Sequence, residues 1–113
     1  LACEVAKKVV EIISTKKVLT GVVEKTIKFN KELNRISEKY NLFSDVRSAG
    51  LWICCDFKKL KSVDVINECY KKRLILVQAS GDKTIRLAPS LIIEDSEIDE
   101  GFKRFERAIK KLV

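Results

Sequence analysis

Hydrophobic residues recur along this chain with two different periods. Between residues 18 and 40, Val22, Thr26, Phe29, Leu33, Ile36 and Tyr40 are spaced by four and three, which predicts one long helix with a continuous inward stripe. Leu19, Val23 and Ile27 broaden that stripe, and Asn41 is suited to stop the helix. Residues 1–14 carry Leu1, Val5, Val9 and Ile12–Ile13 on one side and predict a shorter helix. The period then changes to two. In 50–57, Leu51, Ile53, Cys55 and Phe57 share one face, and Trp52, Cys54 and Asp56 share the other. A partner strand is expected near 43–47, with Gly50 allowing a turn, a bulge or a close backbone contact.

The second half repeats the alternation of element types. Ser62 is placed to cap a helix over 63–72, with Val63, Ile66 and Tyr70 at helical spacing and Lys71, Lys72 and Arg73 at its negative end. "LILVQ" (74–78) reads as a short buried strand, Gly81-Asp82 as a turn, and "TIRL" (84–87) as the returning strand. Pro89 ends that strand, because proline has no N–H for a ladder. Asp95 or Ser96 is expected to cap a last helix, whose Ile98, Phe102, Phe105, Ile109 and Leu112 line one face. Gly101 inside it costs about 1 kcal/mol relative to alanine and is expected to mark a tight contact. The order predicts a single α+β domain over 1–113: a small, mostly antiparallel sheet with helices packed on one side.

Composition narrows the functional classes. A chain of 113 residues, 46% hydrophobic, suits one folded core. No apolar run is long enough to span a membrane, and no secretory signal is expected. The four cysteines form no C-x-x-C pair, adjacent Cys54 and Cys55 point to opposite faces of a strand, and with no secretory signal free buried thiols in a reducing cytoplasm are expected. The absence of histidine removes the commonest general base and any convincing zinc site. Methionine is also absent, even at position 1, which leads us to expect a processed or excised piece of something longer. The net charge is +7, but the basic residues are scattered over predicted helix surfaces and turns, as in a solvated surface. A nucleic-acid footprint would gather them on one face.

There is no nucleophile elbow and no glycine-rich phosphate loop. The acidic residues lie at helix ends or among lysines, and the cysteines sit where apolar filler is expected. Arg86 stands out, between Ile85 and Leu87 and three residues before the only proline. Pattern alone leaves two readings. Arg86 can lie beside Thr84 on the solvent face of an edge strand, or it can aim its planar fork of donors at a carboxylate.

Longer stretches carry a resemblance. "LACEVAKKVVEII" is similar to the helix that follows an N-P-L-A segment in class-III pyridoxal-phosphate aminotransferases of the acetylornithine and succinylornithine branch. "VLTGVVEKTIKFNKELNRISEKYNLFSDVRSAGLWI" resembles that family's long helix and its V-R-G-x-G-L strand pair, with Ser48 in place of the usual glycine and Trp52 in place of a smaller apolar residue. "RLILVQASGDKTIRLAPSLIIEDSEIDEGFKRFERAIKKLV" resembles its last strands and closing helix, combining R-x-A-P-S-L with E-I-D-E-G.

The resemblance implies the C-terminal small domain of a fold-type I aminotransferase, partnered by a large domain of the same chain and by a second subunit. It implies amino transfer from N-acetylornithine or N-succinylornithine to 2-oxoglutarate in arginine metabolism, with no nucleic-acid or membrane partner. It makes Arg86 the arginine that receives a substrate carboxylate, at an exposed surface once separated from its surroundings. Pyridoxal phosphate and its lysine belong to the large domain, so no catalytic or cofactor-binding residue is expected here and the chain alone is expected to be inactive. A freestanding ligand-binding or regulatory α+β domain, and a basic nucleic-acid-binding module, are the rival readings.

Overall fold

The computed structural model describes residues 1–113. Two helices come first, α1 (Ala2–Ile13) and α2 (Lys16–Tyr40), then strands β1 (Phe43–Ala49) and β2 (Trp52–Phe57). Helix α3 (Ser62–Lys71), strands β3 (Val77–Gln78) and β4 (Thr84–Leu87), and helix α4 (Asp95–Leu112) complete the chain. The strands form one antiparallel sheet in the order β1-β2-β4-β3. This is the α+β architecture the periodicities predict.

Alternation along β2 builds the core. Ile53, Cys55 and Phe57 point to the helix side and are buried, as is Ile85 of β4. The stripe of α2 meets them with Phe29, Leu33 and Ile36, and that of α4 with Ile98, Phe102, Phe105 and Ile109. Aromatic rings lock the layers: Phe29 meets Phe102 edge-on at 5.3 Å, and Phe43 stacks on Phe105 at 6.4 Å. Gly50 opens the two-residue turn between Ala49 and Trp52 with φ +59°, a conformation glycine adopts freely. Helix α1 buries none of its residues; Val5, Val9 and Ile12 lie about half exposed. No helix is long and apolar enough to cross a membrane.

Several expectations need correction. Ser62 is the first residue of α3, not its cap; Lys61 takes the cap position. The Ser62 N–H instead donates to the Asp82 carbonyl at 2.7 Å, which draws the hydroxyl into the core. Helix α3 turns Val65 and Cys69 inward, while Val63 and Tyr70 face solvent. Two stripes of helical spacing compete there, and packing against α4 selects the one with the smaller residues.

The strand expected over 74–78 pairs only at Val77–Gln78. Arg73 adopts φ 60° and the Leu74 N–H returns to the Cys69 carbonyl at 2.9 Å, so the chain leaves α3 in a hook. Glu94, not Asp95 or Ser96, caps α4; its N–H donates to the Glu97 carboxylate at 2.9 Å, one half of a capping box. Gly101 marks no tight contact, because an added Cβ there meets nothing within 4 Å.

Candidate carboxylate-binding site

The sheet face turned away from the helices is polar. Register places Arg47 of β1, Cys54 of β2 and Arg86 of β4 side by side across three strands. The next row along holds Asp45, Asp56 and Thr84. Two guanidinium groups therefore share a face with two carboxylates, and the hydrogen bonds decide which pairs form.

Arg47 takes both acids. Its Nη1 lies 2.8 Å from Asp45 Oδ2 and 2.6 Å from Asp56 Oδ2. The Thr84 hydroxyl donates to Asp56 Oδ1 at 2.6 Å. Arg47 first and Thr84 second hold the Asp56 carboxyl below the usual carboxylate range, while Asp56 and then Asp45 hold the Arg47 guanidinium above its own. Asp56 is thus occupied and does not reach Arg86.

Arg86 is left without an acid partner. Its Nε is sealed from solvent and meets no acceptor. Its guanidinium carbon stands 4.7 Å from the centre of the Trp52 ring, a cation–π contact. This corrects two expectations. β4 lies between β2 and β3, so Arg86 is not on an edge strand. The side chain is half-buried, not at an openly exposed surface. An orphaned guanidinium N–H in an interior strand is costly unless something outside the chain completes it.

Arg86 also borders a groove of about 210 Å³ between the 74–77 segment, the end of β4 and helices α2 and α4. Twelve of its sixteen lining residues are hydrophobic, and Arg86 and Glu97 are the charged ones. Gly101 lines it, which explains the open space at that position. No lysine lines the groove and no phosphate cradle borders it, so these residues do not fit pyridoxal phosphate.

The two buried cysteines, Cys55 and Cys69, are poor nucleophiles. Burial pushes the Cys55 and Cys69 thiols up to about 12. All four cysteines are free, and no group of three or more His, Cys, Asp or Glu side chains comes together to hold a metal. Reading the sequence alone missed the contact of Trp52 with Arg86 and the clamp of Arg47 on Asp56. Strand alternation puts Trp52, Cys54 and Asp56 on one face, but only the β2–β4 register places them against Arg86 and Thr84.

The fold is that of an aminotransferase domain: residues 1–109 match the aminotransferase class-III family model, and the chain belongs to that family. Among particular proteins, the chain is 45% identical to acetylornithine aminotransferase 1 of Pseudomonas syringae pv. tomato, over 99% of this chain and 28% of that protein. It is 44% identical to a succinylornithine transaminase/acetylornithine aminotransferase of Pseudomonas aeruginosa, again over 28% of that protein's length. The crystal structure of N-acetylornithine aminotransferase from Stenotrophomonas maltophilia superposes with a TM-score of 0.88 at 26% identity, covering 96% of this chain and 30% of that one. The chain thus spans under a third of the length of the relatives it matches.

Proposed function

We propose that this chain is the small domain of an aminotransferase that moves an amino group from N-acetylornithine or N-succinylornithine to 2-oxoglutarate in arginine metabolism, and that Arg86 receives a substrate carboxylate. The observation that carries this reading is the unpaired Arg86: a half-buried guanidinium in an interior strand, with Nε lacking any acceptor while its neighbour Arg47 is saturated. The printed names of the relatives support the donor class. Pyridoxal phosphate, when bound in the complete enzyme, would supply the electron sink for the transfer. Its lysine and phosphate contacts would come from a large domain of the same longer chain, in a dimer, within the cytoplasm. This chain's part is to present two Nη donors to a carboxylate and to orient it.

The test is Arg86→Lys in the full-length enzyme. Lysine keeps the charge and loses the fork. Losing the two-pronged, charge-assisted contact, roughly 2–4 kcal/mol of transition-state binding, predicts a fall in kcat/KM for 2-oxoglutarate of roughly 30- to 1000-fold, with little change in melting temperature. Unchanged kinetics for both amino donor and 2-oxoglutarate would refute the assignment. A large loss of stability would instead make Arg86 a structural residue.

A further inference from the structure

We propose that Trp52 is a positioning residue for Arg86: its indole packs against the guanidinium and holds the two Nη donors in one orientation toward an incoming carboxylate. The proposal rests on Arg86 being the carboxylate anchor.

The geometry comes from the sheet register. Cys54 lies directly opposite Arg86, so Trp52, two residues earlier on the same face, is the diagonal cross-strand neighbour. Diagonal positions are about 7–8 Å apart, within reach of an aromatic ring and a long cationic side chain. The contact is made, with the guanidinium carbon 4.7 Å from the ring centre. Nε is buried without an acceptor, which leaves the two Nη groups as the donors an anion can reach. Their N–H bonds lie in the guanidinium plane, where a carboxylate accepts two parallel hydrogen bonds.

Nothing else on this face can hold Arg86. Asp45 and Asp56 are taken by Arg47, Asp56 also by Thr84, and Cys54 carries no fixed charge partner. Trp52 is 55% exposed, so little of its area serves the core. Its role is to select among the rotamers of a side chain that has no ion pair to select them.

The experiment uses the full-length enzyme with Trp52→Leu, Trp52→Phe and Arg86→Lys in parallel. KM and kcat for 2-oxoglutarate are measured, with glutarate as a competing dicarboxylate. Loss of the cation–π contact predicts that Trp52→Leu raises both the KM for 2-oxoglutarate and the Ki of glutarate by about 3- to 10-fold. A structural role would not produce that selective shift, so kcat and melting temperature should hold nearly constant. Trp52→Phe, which keeps a ring face, should restore most of the affinity. An unchanged KM in Trp52→Leu, beside an impaired Arg86→Lys, overturns the positioning role and leaves the anchor standing. An equal loss in Trp52→Phe also overturns it. No effect of Arg86→Lys removes the anchor and the positioning role together.

Discussion

Replacing Glu106 by glutamine should loosen the joint between the two long helices, in a way that depends on pH. Glu106 lies on α4 with its side chain 15% exposed, and three donors from α2 converge on it. Lys39 Nζ stands 2.9 Å and the Tyr40 hydroxyl 3.0 Å from Oε1; Arg35 Nη2 stands 3.0 Å from Oε2. Lys39 first, then Arg35, draw the Glu106 carboxyl from its ordinary 4.5 down to about 2. At 1.36 kcal/mol per pH unit, that drop caps the contribution at about 3.4 kcal/mol. Arg35 and Lys39 are 45% and 51% exposed, so solvent screening reduces the effect to about 1–2 kcal/mol.

Glutamine keeps the volume and loses the charge. Glu106→Gln should therefore lower the melting temperature at pH 7 by about 5–10 °C. The sign follows from the lowered folded-state value: the carboxylate's contribution is complete above about pH 4.5 and is lost as pH falls through about 2. Thermal unfolding followed by circular dichroism at pH 7, 5, 3 and 2 should show the two proteins converging toward the acid end. High salt should narrow the gap at pH 7. A gap that survives at pH 2, or none at pH 7, would refute this account of the joint.

Other outcomes are expected from single features. Alkylation without reductant should add four labels to the unfolded chain, and two or fewer would reveal a disulfide; in the folded chain exposed Cys3 should react first and buried Cys55 and Cys69 last. Gly101→Ala should raise unfolding stability by about 1 kcal/mol, since the new methyl meets open space within a helix. Gly50→Ala should lower it by about 1 kcal/mol or more, because φ is +59° and Val22 Cγ1 stands 3.3 Å from the added Cβ. Mixed with pyridoxal phosphate, the 113-residue chain should show neither stoichiometric cofactor binding nor amino transfer; saturable binding at one particular lysine would contradict this.

Elements whose periodicity stands against a single partner were legible. The central stripe of α2 (Phe29, Leu33, Ile36), that of α4 and the inward face of β2 are buried as their spacing implies, because each has one apolar face to hide, whereas Leu19, Val23 and Ile27, expected to broaden the α2 stripe, lie exposed. Helix α3 was not, since Val63-Ile66-Tyr70 and Val65-Cys69 both have helical spacing and only the α4 contact chooses between them. The ends of α3 and α4 were missed for a local reason: Ser62 and Asp95 are good caps in isolation, yet backbone bonds to Asp82 and the reach of Glu97 moved each boundary by a residue. For the site, Arg86 was visible as an anomaly in composition. Its placement in an interior strand was not, because β2 and β4 pair across an intervening helix and strand. Trp52 was visible only as a departure from a family pattern; its contact needed that same long-range register.

Helix α1 remains the least supported part of the molecule. It is twelve residues long and buries none of them, and helices of that length are marginal in water without tertiary cover. Its order is therefore conditional. Uncovered, its amides should exchange with solvent far faster than those of α4, and Val5, Val9 and Ile12 offer chaperones and proteases the kind of surface that unfolded chains show. Covered, the same stripe is sealed and quiet. Hydrogen exchange along α1 therefore reads out directly whether that stripe has found a cover.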